Sequence, residues 1–170
     1  NPNIFSQYGV VFQKTKKNHM IITPKKLNAF LMFKLPAAYF TGVRTKHIDK
    51  ETCVVTVKHR WINQNPFHSM FWAVQGMAAE LTTGALVMQQ IKASGKNISM
   101  LVAKNNATFV KKATGRITFV CKEGLEVEKT IQKAIVSGEG QTLWMHAKGT
   151  NAEGVEVSSF EFEWTLKLKS

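Results

Sequence analysis

The sequence predicts an α+β fold in which one long, buried helix is wrapped by a curved antiparallel β-sheet. The stretch from Phe67 to Ile91 is apolar on nearly every side of a helical wheel, so other structure must surround it. The segments from Gly42 to Trp61 and from Ile98 to Lys169 mostly alternate apolar and polar residues, as half-buried strands do. A chain of 170 residues, 44% of them hydrophobic, suits one core. We therefore expect a single domain over residues 1–170, with residues 1–40 as a helical or irregular N-terminal extension.

The first predicted element is a helix that begins after Thr23. Threonine is a favoured N-cap, and Pro24 suits the first helical position because its fixed φ is already helical. Apolar residues then recur at near-helical spacing until Pro36, which ends the element. Two strands follow between Gly42 and Trp61, with a turn at Asp49-Lys50.

The long helix follows a polar break. The break runs from Asn63 to Pro66, and the residue before a proline is biased away from helix. The helix is expected to run from about Phe67 to about Ile91, with its C-terminal stop at Ser94–Asn97. Strands are then predicted over 98–104, 107–113, 115–122, 142–150 and 155–169, with a hairpin turn at 151–154. Residues 126–135 fit either a strand or a short helix.

The composition and the net charge limit the classes of molecule that the protein is expected to bind. The net charge of +12 favours anionic partners, which include nucleic acid, acidic lipids and phosphorylated cofactors. The basic residues are dispersed, which argues against nucleic acid, and no segment reaches the ~18 to 20 apolar residues that span a membrane. We expect neither partner. The histidines show no metal-ligand spacing, so we expect no metal. Cys53 and Cys121 lie in strand-like segments without a CxxC pattern, which suggests buried free thiols in a reducing cytoplasm.

Glu80 is the one carboxylate in the middle of the apolar helix. It shares a narrow strip of the helical wheel with small residues such as Ala73, Gly76 and Gly84. A carboxylate in such surroundings is costly unless it is paired, hydrogen-bonded or protonated. Two interpretations follow: a structural glutamate bonded to an amide or a basic side chain, or a general base or nucleophile that faces a cleft.

The predicted start of this helix carries a second group of polar residues. Asn63, Asn65, His68 and Ser69 crowd near its first turn. The first N–H groups of a helix have no internal partners, so they can bind an anion or polarise a carbonyl oxygen. Ordinary capping, with Asn65 as N-cap, is the alternative.

The sequence resembles the hotdog-fold acyl-CoA thioesterases in three features. These are an asparagine-bearing loop, a long hydrophobic helix with Ala79-Glu80 at its centre, and Gly84 four residues later. The resemblance is strongest to the uncharacterised branch related to phenylacetyl-CoA-type thioesterases. The stretch ATFVKKATGRI, residues 107–117, also looks like that superfamily. The resemblance implies a central helix in a curled antiparallel sheet, and two subunits whose sheets join edge to edge in a homodimer or a dimer of dimers. It also implies that the acid on one subunit's helix faces the helix N-terminus of the other.

The resemblance further implies roles for individual residues. Glu80 matches the acid that activates water or attacks the thioester, and Asn65 matches the polar residue ahead of the helix. The amides from Ser69 to Phe71 would polarise the thioester carbonyl, and His68 could substitute for a histidine that the family places at Phe71. The substrate is expected to contact Asn63, Phe67, Phe71, Trp72, Met77, Lys111, Lys112 and Arg116. The basic residues in that set would meet the phosphates of coenzyme A, which is part of the substrate; no separate cofactor is expected.

One departure from the family leaves alternatives open. Many relatives carry His-Gly-Gly or His-x-Gly at the helix start, whereas here Phe71-Trp72-Ala73 occupies those positions. Thioester hydrolysis is the leading hypothesis, and a non-catalytic acyl or acyl-CoA binding module of the same fold is the second. A nucleic-acid binder, suggested only by the positive charge, is the third.

Overall fold

The computed structural model describes residues 22–169, so the first half of the predicted N-terminal extension lies outside the described residues. The helices are α1 (Pro24–Lys34), α2 (Pro36–Phe40), α3 (Trp72–Ser94) and α4 (Gly124–Ser137). The strands are β1 (Arg44–Ile48), β2 (Cys53–Lys58), β3 (Ile98–Phe109), β4 (Arg116–Cys121), β5 (Gln141–Thr150) and β6 (Glu156–Leu168).

The six strands that these residues form make one antiparallel sheet in the order β1-β2-β4-β5-β6-β3. The sheet curves around α3, whose residues Ala78, Ala85 and Leu86 are fully buried in the core. The predicted α+β architecture of a central helix in a curved sheet is therefore confirmed. Strands β1 and β3 are the two edges of the sheet.

The first helix begins where the sequence predicts, but a second helix follows it directly. The Thr23 hydroxyl accepts a hydrogen bond from the Lys26 N–H at 3.3 Å, which confirms it as the N-cap. Pro36 ends α1 but also begins α2, a helix that the sequence analysis missed, because proline suits a first helical position as well as a stop. Asn28 fixes α1 to β1: its side chain donates to the Thr45 carbonyl at 3.0 Å and accepts from the Thr45 N–H at 2.8 Å.

The long helix begins at Trp72, five residues later than predicted. The Asn65 carboxamide oxygen accepts the N–H groups of Phe67 at 2.9 Å and Ser69 at 3.2 Å, and His68 adopts a positive φ of 58°. An asparagine that satisfies nearby amides through its side chain offers the backbone an alternative to helix. The interpretation of Asn65 as the helix N-cap is therefore wrong, since it closes a turn ahead of the helix.

The segments after α3 correct two further predictions. Residues 98–104 and 107–113, predicted as separate strands, contribute to one strand, β3, which pairs with β6 along its length and has a bulge between Val102 and Lys104. The ambiguous segment 126–135 is helical within α4, because Val127, Ile131 and Ala134 form one buried face. The predicted hairpin turn is confirmed between β5 and β6, where the Asn151 side chain accepts from the Val155 N–H at 2.8 Å.

The two cysteines are direct cross-strand neighbours on β2 and β4, and both are buried free thiols. Burial raises the pKa of each thiol to about 12. Because the thiolate is the reactive species, we expect neither Cys53 nor Cys121 of the folded protein to be alkylated by iodoacetamide at pH 8, whereas both should react in denaturant. Mass spectrometry of the alkylated chain measures this. Modification of the native protein would contradict the burial described here.

Within residues 22–169, no helix combines the length and the apolar character that crossing a membrane requires.

Candidate functional site

Glu80 lies on α3 and borders a pocket of about 250 Å³. The pocket forms where α1 and α2 cover α3, close to β3 and β6. Its apolar lining includes Phe30, Leu35, Met77, Leu81, Met88 and Trp164. Lys34 is the other ionisable residue that lines it.

The Glu80 carboxylate has no hydrogen-bond or ion-pair partner in the part of the chain that the structure describes. Its backbone carbonyl accepts a hydrogen bond from the Thr83 hydroxyl at 3.0 Å. Although the side chain keeps access to solvent, its apolar surroundings remove part of its hydration, and this desolvation raises the pKa of the Glu80 carboxyl above its usual range. The geometry thus matches the interpretation of an acid that faces a cleft, and not that of a salt-linked structural glutamate.

Gly84 and Trp164 lie against each other in the lining of the pocket. The Trp164 indole N–H donates to the Thr83 hydroxyl at 3.0 Å, which fixes the ring across the helix. A Cβ at Gly84 would be 3.1 Å from two indole carbons, so a larger residue would press on the ring. Gly84 belongs to the strip of small residues beside Glu80. Its lack of a side chain therefore lets an aromatic ring from β6 approach the helix. Neither Trp164 nor α1–α2 carried a sequence signal for this role.

Two of the predicted catalytic residues, Asn65 and Ser69, meet each other in the turn before α3. The Asn65 amide donates to the Ser69 hydroxyl at 3.1 Å, and His68 lies exposed between them. Glu80 lies eight residues beyond the first residue of α3, which is about 12 Å along the helix axis. The turn and the carboxylate are therefore separated within one chain.

The amides expected to polarise a carbonyl are already bonded. The N–H groups of Ser69, Met70 and Phe71 donate respectively to the Asn65 side chain, to the Ala113 carbonyl at 2.8 Å and to the Asn63 carbonyl at 2.8 Å. The next two amides along the chain, those of Trp72 and Ala73 at the start of the helix, have no acceptor among the described residues. The free donors thus lie one to two residues beyond the predicted group.

Asn63, which we expected to contact the substrate, makes its side-chain hydrogen bonds inside the fold. It is 2% exposed, and its side chain donates to the carbonyls of Thr41 at 2.8 Å and Lys58 at 2.9 Å. It also accepts from the Arg60 N–H at 2.8 Å. With these bonds made inside the fold, Asn63 fixes the start of the loop that leads to α3.

The expected aromatic contacts divide into two groups. Met77 lines the pocket beside Glu80. Phe67, Phe71 and Trp72 do not line it; they are exposed around the helix start, with the rings of Phe71 and Trp72 in edge contact at 5.9 Å. Exposed large aromatic residues at this density are typical of a surface that is covered by another molecule.

The expected basic residues also lie at the surface. Lys111, Lys112 and Arg116 are exposed, and none makes an ion pair with another residue in the range 22–169. Arg116 is the cross-strand neighbour of Lys58, and the Lys112 ammonium donates to the Phe67 carbonyl at 3.4 Å. Lys112 therefore borders the exposed turn ahead of α3, whereas Arg116 lies beside Lys58 on the neighbouring strand.

Solved structures with the same fold come from several bacteria. A protein of unknown function and probable thioesterase from Pseudomonas aeruginosa is 18% identical, with a TM-score of 0.73, and the match covers 88% of this chain and 99% of that one. A protein of unknown function from Chlorobaculum tepidum is 17% identical, with a TM-score of 0.74 and the same coverage. A thioesterase from Haemophilus influenzae is 11% identical, with a TM-score of 0.65, over 86% of this chain and 92% of that one.

These similarities show the fold, the hotdog fold that the resemblance implied. No curated protein matches the chain. A model of the DUF4442 family, a domain of unknown function, matches residues 24–166, which include every helix and nearly every strand residue described above. The chain has the hotdog fold and belongs to the DUF4442 family.

Proposed function

We propose that the protein hydrolyses an acyl thioester, with coenzyme A as the thiol part of the substrate, at a site that contains Glu80. The observation that carries this proposal is the unpartnered Glu80 carboxylate with a raised pKa at the edge of an apolar pocket. A carboxylate with a raised pKa is a stronger base than an ordinary one, and the pocket offers an apolar place for an acyl group. The fold shared with proteins named as thioesterases supports the same assignment.

In the proposed reaction the Glu80 carboxylate takes a proton from water as the water oxygen attacks the thioester carbonyl carbon. The carbon–sulfur bond then breaks, the thiolate of coenzyme A leaves with the electron pair, and the proton passes to it or to solvent. The negative charge on the carbonyl oxygen in the transition state requires hydrogen-bond donors. The amides of Trp72 and Ala73, which have no acceptor within residues 22–169, are the donors that we propose.

The site requires two copies of the chain. Because Glu80 is about 12 Å along α3 from those amides, one chain cannot direct both at the same carbonyl. Strand β3 supports a homodimer: it is a long edge strand of twelve residues whose outer side is unpaired in the described residues, and Leu101 on it is 66% exposed. Such an edge is a template for pairing with another strand. We propose that two β3 strands pair and bring Glu80 of one copy near the helix start of the other.

A charged residue introduced on the edge strand β3 tests whether the proposed dimer forms. We expect Leu101→Lys to weaken dimer association about tenfold, because it adds a positive charge from each copy to the paired edges. Sedimentation velocity over a concentration series measures this, and the rate of thiol release should fall with the fraction of dimer. Leu125 on α4 is another exposed leucine, so Leu125→Lys is the matched control. It should change neither the dimer association nor the rate of thiol release. A wild-type chain that is monomeric and still hydrolyses thioesters would contradict the shared site.

Exposed basic groups, of which Lys112 contacts the turn ahead of α3, support a phosphorylated substrate. Lys58, Lys111, Lys112 and Arg116 are exposed and have no carboxylate partner among the described residues. Coenzyme A carries a diphosphate and a further phosphate, which such groups can bind. We propose that this cluster holds the coenzyme A part of the substrate.

The direct test of function is release of free thiol from a panel of acyl-CoA thioesters, followed with a thiol-reactive chromophore. The wild-type protein should release coenzyme A, and Glu80→Gln should not do so at a comparable rate. Equal rates for the two proteins would remove Glu80 from the chemistry.

A second function, binding of acyl-CoA without hydrolysis, is favoured by one observation. The amides of Ser69, Met70 and Phe71, which the resemblance assigns to the carbonyl, are all used within the fold. Under this alternative, acyl-CoA would raise the unfolding temperature while no thiol is released. The same panel therefore distinguishes the two functions.

A further inference from the structure

We propose that the pocket between α1–α2 and α3 binds a medium-length apolar acyl group of about ten carbon atoms or fewer, and that Trp164, opposite Gly84, forms a rigid part of its wall. This inference rests on the proposed function, since it names the acyl class of the same substrate. It adds two helices that the sequence analysis did not connect with the site.

The position and lining of the pocket indicate an acyl group. Glu80 is one of its wall residues, so a thioester carbonyl near that carboxylate places its acyl chain at the pocket mouth. Apart from Glu80 and Lys34, the residues that line the pocket are apolar. A hydroxylated or charged acyl group would lose hydration here without gaining hydrogen bonds, so the lining selects a hydrocarbon.

The dimensions indicate the length of that hydrocarbon. An apolar cavity of roughly 150 Å³ accommodates benzene, with six carbons. The pocket of about 250 Å³ therefore accommodates about ten by the same scale. Its helical wall extends from Met77 to Met88, about 16 Å along α3, with Glu80 near one end. This elongated shape suits a chain better than a compact ring system.

The part of the wall that Trp164 forms cannot easily move. Trp164 is held by its hydrogen bond to Thr83, and it lies between β3 and β5 as the cross-strand neighbour of Val102 and Leu143. An acyl group too large for the pocket could gain room on this side only by displacing the ring and breaking a buried hydrogen bond. The outer wall is different, because Phe30 belongs to α1 and is 39% exposed. Truncation of Phe30 should therefore lengthen the pocket without removing core packing.

The experiment measures kcat/KM for straight-chain acyl-CoA thioesters from four to sixteen carbons, together with binding of the non-hydrolysable S-alkyl-CoA thioethers of the same lengths by calorimetry. For the wild-type protein we expect the best substrate at about eight to ten carbons and at least a tenfold loss at sixteen. Phe30→Ala should raise kcat/KM for fourteen carbons at least tenfold relative to eight. Phe33→Ala is its matched control, since Phe33 is on the same helix but does not line the pocket.

Gly84→Ala should shift the optimum to shorter acyl chains, because its Cβ would lie 3.1 Å from the Trp164 ring and would narrow the pocket. We expect kcat/KM for ten carbons to fall at least tenfold relative to kcat/KM for four carbons. Gly76→Ala, on the same helix, is its control, since a Cβ there meets Phe160 at an ordinary 3.6 Å. Length profiles that are the same in the wild type, Phe30→Ala and Gly84→Ala would overturn the inference.

The two readouts separate this inference from the proposed hydrolysis. If no thioester is hydrolysed but the thioethers bind with a length limit that Phe30→Ala and Gly84→Ala shift, the acyl pocket stands and the hydrolase fails. If thioesters of all lengths are hydrolysed equally well, the hydrolase stands and the length limit fails.

Discussion

Replacement of Glu80 by glutamine is expected to reduce kcat/KM for acyl-CoA hydrolysis by about 10²- to 10⁴-fold, the range that a general base contributes. Glutamine has nearly the same shape as glutamate but cannot accept a proton from water. The carboxylate has no partner in the described part of the chain, so the change breaks no ion pair or hydrogen bond there. Initial rates of thiol release at several substrate concentrations provide the measurement.

The pH dependence of the wild-type enzyme should report the same group. Desolvation raises the pKa of Glu80 above its ordinary 4.5. A base is active only when it is deprotonated, so kcat/KM should fall as the pH decreases through this raised pKa. The acid limb should therefore lie above pH 4.5, and the residual activity of Glu80→Gln should lack it.

The stability of Glu80→Gln should change in the opposite direction to its activity. A folded-state pKa above the unfolded value means that the folded protein binds more protons between the two values, so the free energy of unfolding falls as the pH rises through that window. The loss then persists at neutral pH. Because glutamine does not ionise, we expect the variant to unfold at a higher temperature than the wild type at pH 7, with a smaller difference below pH 4.5. Calorimetric scans at both pH values measure this.

The control for all three measurements is Glu128→Gln. Glu128 is exposed on α4, so its replacement should leave the rate, the pH profile and the unfolding temperature close to those of the wild type. A Glu80→Gln protein that is less stable than the wild type at pH 7 would show that the carboxylate has a stabilising partner, and the catalytic assignment would lose its basis.

Replacement of Gly124 by alanine is expected to lower the free energy of unfolding by about 3 kcal/mol, at the upper end of what overpacking costs. Gly124 begins α4 and donates its N–H to the Glu51 carbonyl at 3.0 Å, which docks the helix on the β1–β2 turn. A Cβ there would overlap the Lys50 carbonyl oxygen and lie 2.8 Å from the Glu51 Cα. Both are backbone atoms, so a side-chain rotation cannot relieve the contact.

The displaced turn would affect more than one contact. The Gln90 side chain of α3 donates to the Lys50 carbonyl at 2.8 Å and to the Gly124 carbonyl at 3.1 Å, so three elements meet at this point. For a chain of this size the change corresponds to a melting temperature about 10 °C lower. Gly140→Ala is the matched control: its nearest neighbour, the Leu166 carbonyl oxygen, is 3.9 Å from the added Cβ. Equal melting temperatures for the two variants would contradict the described docking of α4.

The sequence by itself determined the features that depend on neighbouring residues. The Thr23 cap, the alternation of β2, β5 and β6 and the Asn151 turn were predicted because hydrogen bonds over a few residues and the period of apolar side chains produce them. The fully apolar helix required a surrounding sheet, which the structure contains. Glu80 was identified as the candidate acid because a single charge in such a helix needs an explanation.

Only the tertiary structure decided what surrounds that acid. The start of α3 depends on the Asn65 turn, whose strand-like bridge from Gln64 to Met70 competes with helix formation. The bond from Trp164 to Thr83 joins residues 81 positions apart, and the pocket exists because α1–α2 lie over the same face of α3. Contacts of this kind follow from how the sheet curves around the helix. No local pattern encodes them, because each partner alone is an ordinary strand or helix residue.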